Sequence, residues 1–514
     1  MPHNNPGFSN DIQGPFYDPR HELYHMGFAW HANSSSFGGA PNRWYHIVSQ
    51  DLARWRVVTT SLDTAMIKPG NWTDRNGNLY CDHKPTTGSV TLVDHGDGRG
   101  PIPTALFGCN GSGEKGTVIA KAVPRNLSDP LLTHWVMDAQ NPVMRYPEGK
   151  GGRDPATAWR DVDGKWRTTS ACEGQCADEP NKLAAAALWT SADFETWTFS
   201  GNLFGFPGKL VECPDFFNIT SLEAPQPLHV LKASYTHREI AYVGRYDQTT
   251  HKLVELVGPD EVEGGQLLDG GAVYASKSFW DAKHAQQVWS AWVHNRWLVP
   301  GPNGRRVVGN ISLAGTHTLP RALRWDADLG RILTPPVPQL QALRGLRLCD
   351  IRQRTVPAGE PVTLKGVQGM QLEVLSTWSV PQNSSSWPVS FGIALRLNRA
   401  ATQRTDCALS WLGPRNASLE TFVNNTGAVV DTTKHGEKHT LPFPLKPNET
   451  SVTLHCFIDH SVLEAFGMEG RAAVTARTYP LDASTSVAVW SAGFDATLLS
   501  LQAWEIDTIW VEEV

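Results

Sequence analysis

Nowhere in the 514 residues does a run of apolar side chains approach the ~18 that a membrane-spanning helix needs. Charge of one sign is not in excess either: 45 Lys and Arg are interspersed with 51 Asp and Glu, for a net charge of −6. That balance offers no basic footprint for nucleic acid and no polybasic run for a membrane surface. Cysteine is sparse, at eight, and only Cys172 and Cys176 lie close together. A structural zinc usually needs two such near pairs, so no metal is expected, and no cofactor. Disulfides Cys81–Cys109, Cys172–Cys176 and Cys407–Cys456 are compatible with the sequence, which leaves the connectivity open. Long amphipathic helical patterns are missing as well, which points away from a helical or α/β fold.

What is present reads as strands. Hydrophobic residues at 40% and charged residues at 19% suit a folded globule, and the length suits two or three units. Over residues 8–335, short apolar or aromatic runs such as Leu23 to Trp30, Ser89 to Val93, Leu183 to Trp189 and Ala241 to Tyr246 alternate with clusters of Gly, Pro, Asn and Asp. The frame S-x-D-[LF]-x-x-W occurs at Ser49 to Trp55 and again at Ser191 to Trp197, with a looser copy from Ser128 to Trp135. The spacing of the two good copies fits two units of about 70 residues, the length of a four-stranded propeller blade. Roughly five blades then precede the Pro335-Pro336-Val337-Pro338 cluster, which stops strand pairing. Beyond it, alternating runs such as Met370 to Leu375 and Val452 to Ile458 suggest an antiparallel β-sandwich. The expectation is an all-β chain with a five-bladed β-propeller at 1–338 and a β-sandwich at 339–514.

Two features bear on context. The 20 tryptophans suit either core packing or platforms for the C–H face of a sugar ring. Asn33, Asn71, Asn110, Asn126, Asn218, Asn310, Asn383, Asn416, Asn424 and Asn448 each open an N-x-[ST] triplet, a density that favours a secreted, N-glycosylated product. Met1-Pro2-His3-Asn4-Asn5 lacks the apolar core of a secretory signal, so a leader is expected to be absent from this chain.

Glycosidic hydrolysis needs one carboxylate to attack, or to activate the attacker, and one carboxylic acid to protonate the leaving oxygen. Three acids have distinctive surroundings. Asp11 sits in Asn10-Asp11-Ile12-Gln13-Gly14, beside two amides and a permissive glycine. Asp154 follows Arg153, a built-in counter-ion, and precedes Pro155. Glu212, in Val211-Glu212-Cys213-Pro214-Asp215, ends an apolar run where desolvation raises a carboxyl pKa. Among 51 acidic residues, these contexts alone do not single the three out.

These segments resemble the signatures of glycoside hydrolase family 32, the invertase, inulinase and fructosyltransferase family. Asn10-Asp11-x-x-Gly14 is similar to W-M-N-D-P-N-G, Thr87-Gly88-Ser89 to F-S-G-S, Arg153-Asp154-Pro155 to R-D-P and Glu212-Cys213-Pro214-Asp215 to E-C-P-D. Collinear likenesses continue through Asp269 to Phe279, Leu319-Pro320-Arg321, Asp459 to Phe466 and Arg477 to Pro480. The resemblance implies a five-bladed propeller with a β-sandwich and a retaining double displacement on β-fructofuranosyl bonds, in a secreted fungal enzyme. It implies Asp11 as nucleophile, Glu212 as acid and base, and Asp154 as stabiliser of the oxocarbenium-like transition state. Asn10, Gln13, Trp44, Ser89, Arg153, Asp215 and Asp269 would contact or frame the sugar, and Cys213 would tune Glu212. The sequence departs from the pattern at Phe8-Ser9 for Trp-Met, Ile12 for Pro, Gln13 for Asn, Ala29 for a glutamine and Ala272 for a lysine, changes that touch the nucleophile's surroundings and the acceptor side.

The expected partner is a small sugar: sucrose, fructo-oligosaccharides or fructans. A fructosyltransferase, an exo-inulinase or levanase, an arabinan- or xylan-degrading enzyme, and an inactive sugar-binding protein on the same scaffold are the rival readings. A homodimer built through the sandwich is compatible with the sequence.

Overall fold

The computed structural model describes residues 7–34, 41–59, 65–68, 72–73, 79–81, 84–110, 117–147, 150–174, 176, 181–219, 227–294, 315–381, 387–400, 402–424 and 437–511. Their regular structure is almost entirely β-strand. Five sheets, each a path of four antiparallel strands, follow one another along the first 333 residues. Their first strands are Gly7–Asp18, Lys84–Val93, Lys150–Arg153, Val211–Ile219 and Val273–Asp281. Gly7–Asp18 packs against both Lys84–Val93 and Val273–Asp281. Blade one therefore touches blades two and five, and the five sheets close into a ring.

The repeated S-x-D-[LF]-x-x-W frame marks one structural position, the turn between the third and outermost strands. In blade one, Ser49 Oγ accepts the Leu52 N–H at 2.9 Å and Asp51 Oδ1 accepts those of Ala53 and Arg54 at 2.9 and 2.7 Å. In blade three, Ser191 Oγ and Asp193 Oδ1 do the same for Phe194, Glu195 and Thr196. Leu52, Leu132 and Phe194 occupy the left-handed region, with φ of 63°, 45° and 68°, a conformation that costs a non-glycine residue energy. The capping hydrogen bonds and full burial of each apolar side chain offset that cost. Blades four and five retain only the capping aspartates, Asp247 and Asp326.

A short 3-10 helix, Pro338–Leu343, buries Leu340 and Leu343 and leads into two stacked six-stranded sheets. Trp378, Phe391 and Trp411 fill the space between them, and Cys407–Cys456 ties one sheet to the other. Cys172 and Cys176 are also bonded to each other. Cys109 is in a disulfide, while the Cys81 side chain lies outside the described residues.

The two units meet through a buried ion cluster. The Arg321 guanidinium of blade five donates to Asp269 Oδ2 at 2.8 Å and to Glu464 Oε2 at 2.6 Å, the latter on a sandwich strand. Sandwich Thr475 donates its hydroxyl to Asp269 Oδ2 at 2.7 Å and its N–H to Asp269 Oδ1 at 3.0 Å. Gly271 is forced by this contact, because a Cβ there would lie 1.9 Å from the Thr475 carbonyl oxygen.

Candidate active site

The first strands of four blades break register at one end of the ring. Shifts fall between Ser9 and Ile12, Pro85 and Gly88, Glu212 and Asp215, and Tyr274 and Lys277. A bulge re-aims the side chains around it, and these bulges turn Asp11, Thr87, Glu212 and Tyr274 toward one place. Blade three contributes Arg153, the last residue of its short first strand, and Asp154, whose φ is +58°.

Asp11 is partly accessible and accepts two hydrogen bonds: Asn10 Nδ2 on Oδ1 at 2.8 Å and Thr87 Oγ1 on Oδ2 at 2.5 Å. Desolvation pushes its pKa up, and the nearby Glu212 charge adds to that, while the Thr87 and Asn10 donors oppose it. Gln13 is buried and spans the blade boundary, accepting the Gly88 N–H at 3.1 Å and donating to Thr87 Oγ1 at 3.4 Å. It thereby orients the hydroxyl that reaches Asp11. Gly88 allows this approach, since a Cβ there would lie 2.1 Å from the Leu106 carbonyl.

Glu212 is held by Arg153 Nη2 on Oε1 at 2.8 Å and by Tyr274 OH on Oε2 at 2.6 Å. The same Arg153 lies 2.7 Å from Glu173 and, through Nε, 3.7 Å from Asp154 Oδ2. Asp154 is 2% exposed, and its Oδ2 accepts the Cys213 N–H at 3.0 Å. Burial pushes its pKa up to about 7; Arg153 pulls against this, and the Glu212 and Asp11 charges reinforce it. Burial in a shared, poorly solvated space therefore favours the protonated form of both Asp154 and Asp11. Burial also drives the Cys213 thiol well above its usual range, so it is no thiolate nucleophile.

The sequence-based set is thus only partly gathered here. Asn10, Asp11, Gln13, Arg153, Asp154 and Glu212 meet at the bulges. Ser89 is buried on the neighbouring strand with its hydroxyl unpaired among the described residues. Trp44 is corrected: it is 0% exposed, donates to the Thr86 carbonyl and packs edge-on against Phe107, so it offers a sugar no ring face. Asp269 is corrected too, because both its oxygens are taken up in the interdomain cluster. Asp215 is buried and turned to Ser278 N at 2.7 Å and Lys277 Nζ at 3.2 Å.

Sequence reading passed over Thr87, Tyr274 and Glu173. Thr87 and Tyr274 lie inside segments that carried the family likeness, but only strand pairing shows which side chain of each run turns inward. Glu173 stands opposite Gly151 on the next strand, and no local signal marked it.

Comparison with known proteins bears on the family and the fold. The model for the glycosyl hydrolases family 32 N-terminal domain matches residues 3–336, and that for the family 32 C-terminal domain matches residues 339–505. A fructan 6-exohydrolase of Triticum aestivum is 27% identical over 97% of this chain and 88% of its own length. A β-fructofuranosidase, insoluble isoenzyme 7, of Oryza sativa subsp. japonica is 28% identical over 99% and 88%. The crystal structure of fructan 1-exohydrolase IIa from Cichorium intybus superposes with a TM-score of 0.83 at 23% identity, covering 100% of this chain and 97% of that one. With both of its units matched end to end, the chain belongs to glycosyl hydrolase family 32 and is a glycosidase.

Proposed function

We propose that the protein hydrolyses terminal β-D-fructofuranosyl bonds with retention, through a fructosyl-enzyme intermediate. Asp11 attacks the anomeric carbon. Glu212 protonates the departing oxygen and then takes a proton from water. Asp154 binds sugar hydroxyls and stabilises the cationic transition state. The observation that carries this reading is the linkage of the carboxyl groups: Arg153 spans Glu212 and Asp154, and Glu212 and Asp11 each raise the cost of ionising Asp154. Asp11 keeps two donors and partial access, as an attacking carboxylate needs. Glu212 is held by a phenol and a guanidinium, which leave its lone pairs fixed for proton transfer.

The relatives' names divide between fructans and β-fructofuranosides at nearly equal identity, so sucrose, a β-2,1 fructan and a β-2,6 fructan should be tested side by side. Free glucose and free fructose are followed separately, with Asp11→Asn in parallel. Equal release of both sugars from sucrose is expected for hydrolysis, and glucose in large excess would instead mean fructosyl transfer. A parent that releases no fructose from any of the three, or an Asp11→Asn variant as active as the parent, would refute the assignment.

We also infer a secreted, N-glycosylated protein. Of the sequon asparagines with described side chains, Asn33, Asn126, Asn218, Asn416 and Asn448 are all exposed, as glycan attachment requires. A mass shift on treatment with an N-glycosidase tests this in the native product.

A further inference from the structure

Two lysines lie behind the site with no exposure at all. Lys232 belongs to the second strand of blade four and Lys277 to the first strand of blade five; both side chains are 0% exposed. A buried ammonium is costly unless its three N–H groups find partners. Here the partners are carbonyls of two of the bulges that aim the site and of the residue that follows Asp154. Lys232 Nζ donates to Cys213 O at 2.5 Å and to Ser276 O at 2.6 Å. Lys277 Nζ donates to Pro214 O at 3.2 Å and to Pro155 O at 3.4 Å. Asp215 faces both, at 3.2 Å from Lys277 and 3.4 Å from Lys232.

The four carbonyls so gathered belong to the residue following Asp154, to the two residues following Glu212, and to the residue two after Tyr274. Cys213, Ala275 and Asp154 are non-glycine residues at φ of 47°, 51° and 58°, a backbone that persists only where its surroundings over-determine it. The lysine contacts supply that constraint. They also supply charge. The acids in and behind the site are Asp11 from blade one, Asp154 and Glu173 from blade three, and Glu212, Asp215 and Glu239 from blade four. Among the described residues, the cations against them are Arg153, Lys232 and Lys277, together with the neutral Tyr146, Tyr274 and Cys213 and the imidazoles of His237, against Tyr274, and His317, on the Asn10 carbonyl. Lys277 acts on Asp154 directly, favouring its ionised form.

We propose that Lys232 and Lys277 are positioning residues of the active site, two ammonium groups that lock the bulges presenting Glu212 and Tyr274 and the backbone that follows Asp154, and furnish positive charge behind the carboxylates. The proposal rests on the functional reading above. Lys277→Met keeps the volume and removes the charge. We expect kcat to fall about ten- to hundredfold with KM changed by no more than about threefold. The acid limb of the kcat/KM profile should move to higher pH, because a carboxylate that loses a neighbouring cation holds its proton more tightly. Asp215→Asn removes an anion facing the same lysines and should move that limb to lower pH.

A second readout does not need activity. The melting temperature of Lys277→Met should fall further below the parent's as pH rises from 5 to 8, since Asp154, whose ionised form Lys277 favours, then gains its charge. Opposite shifts of the two acid limbs, with a widening deficit in melting temperature, support the proposal. Unmoved profiles, or a deficit that is constant with pH, overturn it and leave only a packing role. Should Lys277→Met fail to fold, Asp215→Asn decides by its profile. A parent inactive on every β-fructoside refutes the functional reading instead, and the pH dependence of melting still tests whether the lysine charge faces the acids.

Discussion

Replacing Asp154 by Asn should stabilise the protein at pH 8 far more than at pH 5. This carboxyl, ordinarily near 3.8, is pushed up to about 7 chiefly by burial. Between those values the folded chain holds a proton that the unfolded chain has released. Protonation therefore favours folding at low pH, and stability is lost as pH rises through the folded value and a buried carboxylate must form. A tenfold change in proton affinity is worth about 1.4 kcal/mol, so the full effect above pH 7 is about 4 kcal/mol, and near pH 5 only about a third of it has developed. For a chain of this size the difference corresponds to about 2–4 °C in melting temperature. Asn also suits the +58° backbone, but that gain is independent of pH, so the change in the variant-minus-parent difference isolates the titration. Scanning calorimetry of both proteins at pH 5, 6, 7 and 8 measures it. An equal difference at all four values would mean that Asp154 stays ionised in the fold and that the electrostatic account of the site is wrong. The same substitution should abolish turnover, so stability and activity move in opposite directions, as expected where a site stores unfavourable electrostatics.

Three further outcomes follow from other contacts. Thr87→Val removes the hydroxyl that donates to Asp11; a hydrogen bond to a charged group contributes about 1.5–3 kcal/mol, so kcat/KM should drop about 10–100-fold and the melting temperature by no more than about 3 °C. Arg321→Leu leaves Asp269 and Glu464 buried without their cation and should cost about 3–5 kcal/mol in urea unfolding, a prediction contradicted by a midpoint within error of the parent's. The buried pair His25 and His46 share one hydrogen bond at 3.0 Å, and burial lowers the His46 pKa to about 3. A neutral-only histidine stabilises above its ordinary value of 6.5 and loses that contribution as pH falls, by up to about 1.4 kcal/mol for each tenfold rise in proton concentration. His46→Phe should therefore flatten the acid side of the stability profile, seen as a smaller fall in melting temperature from pH 6 to 4.

Strand content, the propeller and the sandwich were legible in the sequence because they rest on local rules. Alternating apolar runs, the Ser and Asp that cap each outer turn and the proline cluster near residue 335 all act within a few residues of themselves. The turn repeat faded in blades four and five because capping needs only the aspartate, and Asp247 and Asp326 meet that need without the serine or the tryptophan. Asp11, Asp154 and Glu212 came from the resemblance, since nothing in their immediate neighbours separates them from the other acids.

Tertiary structure decided the rest. Trp44 and Asp269 read as sugar contacts in the sequence, yet the first fills the space beneath Gly14 and the second joins propeller to sandwich. Thr87, rather than Ser89, donates to Asp11, because a register shift between Pro85 and Gly88 breaks the alternation that sequence reading assumes. The lysines are the clearest case: Lys232 of blade four reaches carbonyls on its own blade and on blade five, and Lys277 of blade five reaches carbonyls on blades four and three. Composition and short-range pattern determine which strands form, through turn chemistry and burial; which side chains meet at a propeller's axis depends on bulges and on the closure of the ring, which bring together residues far apart in the chain.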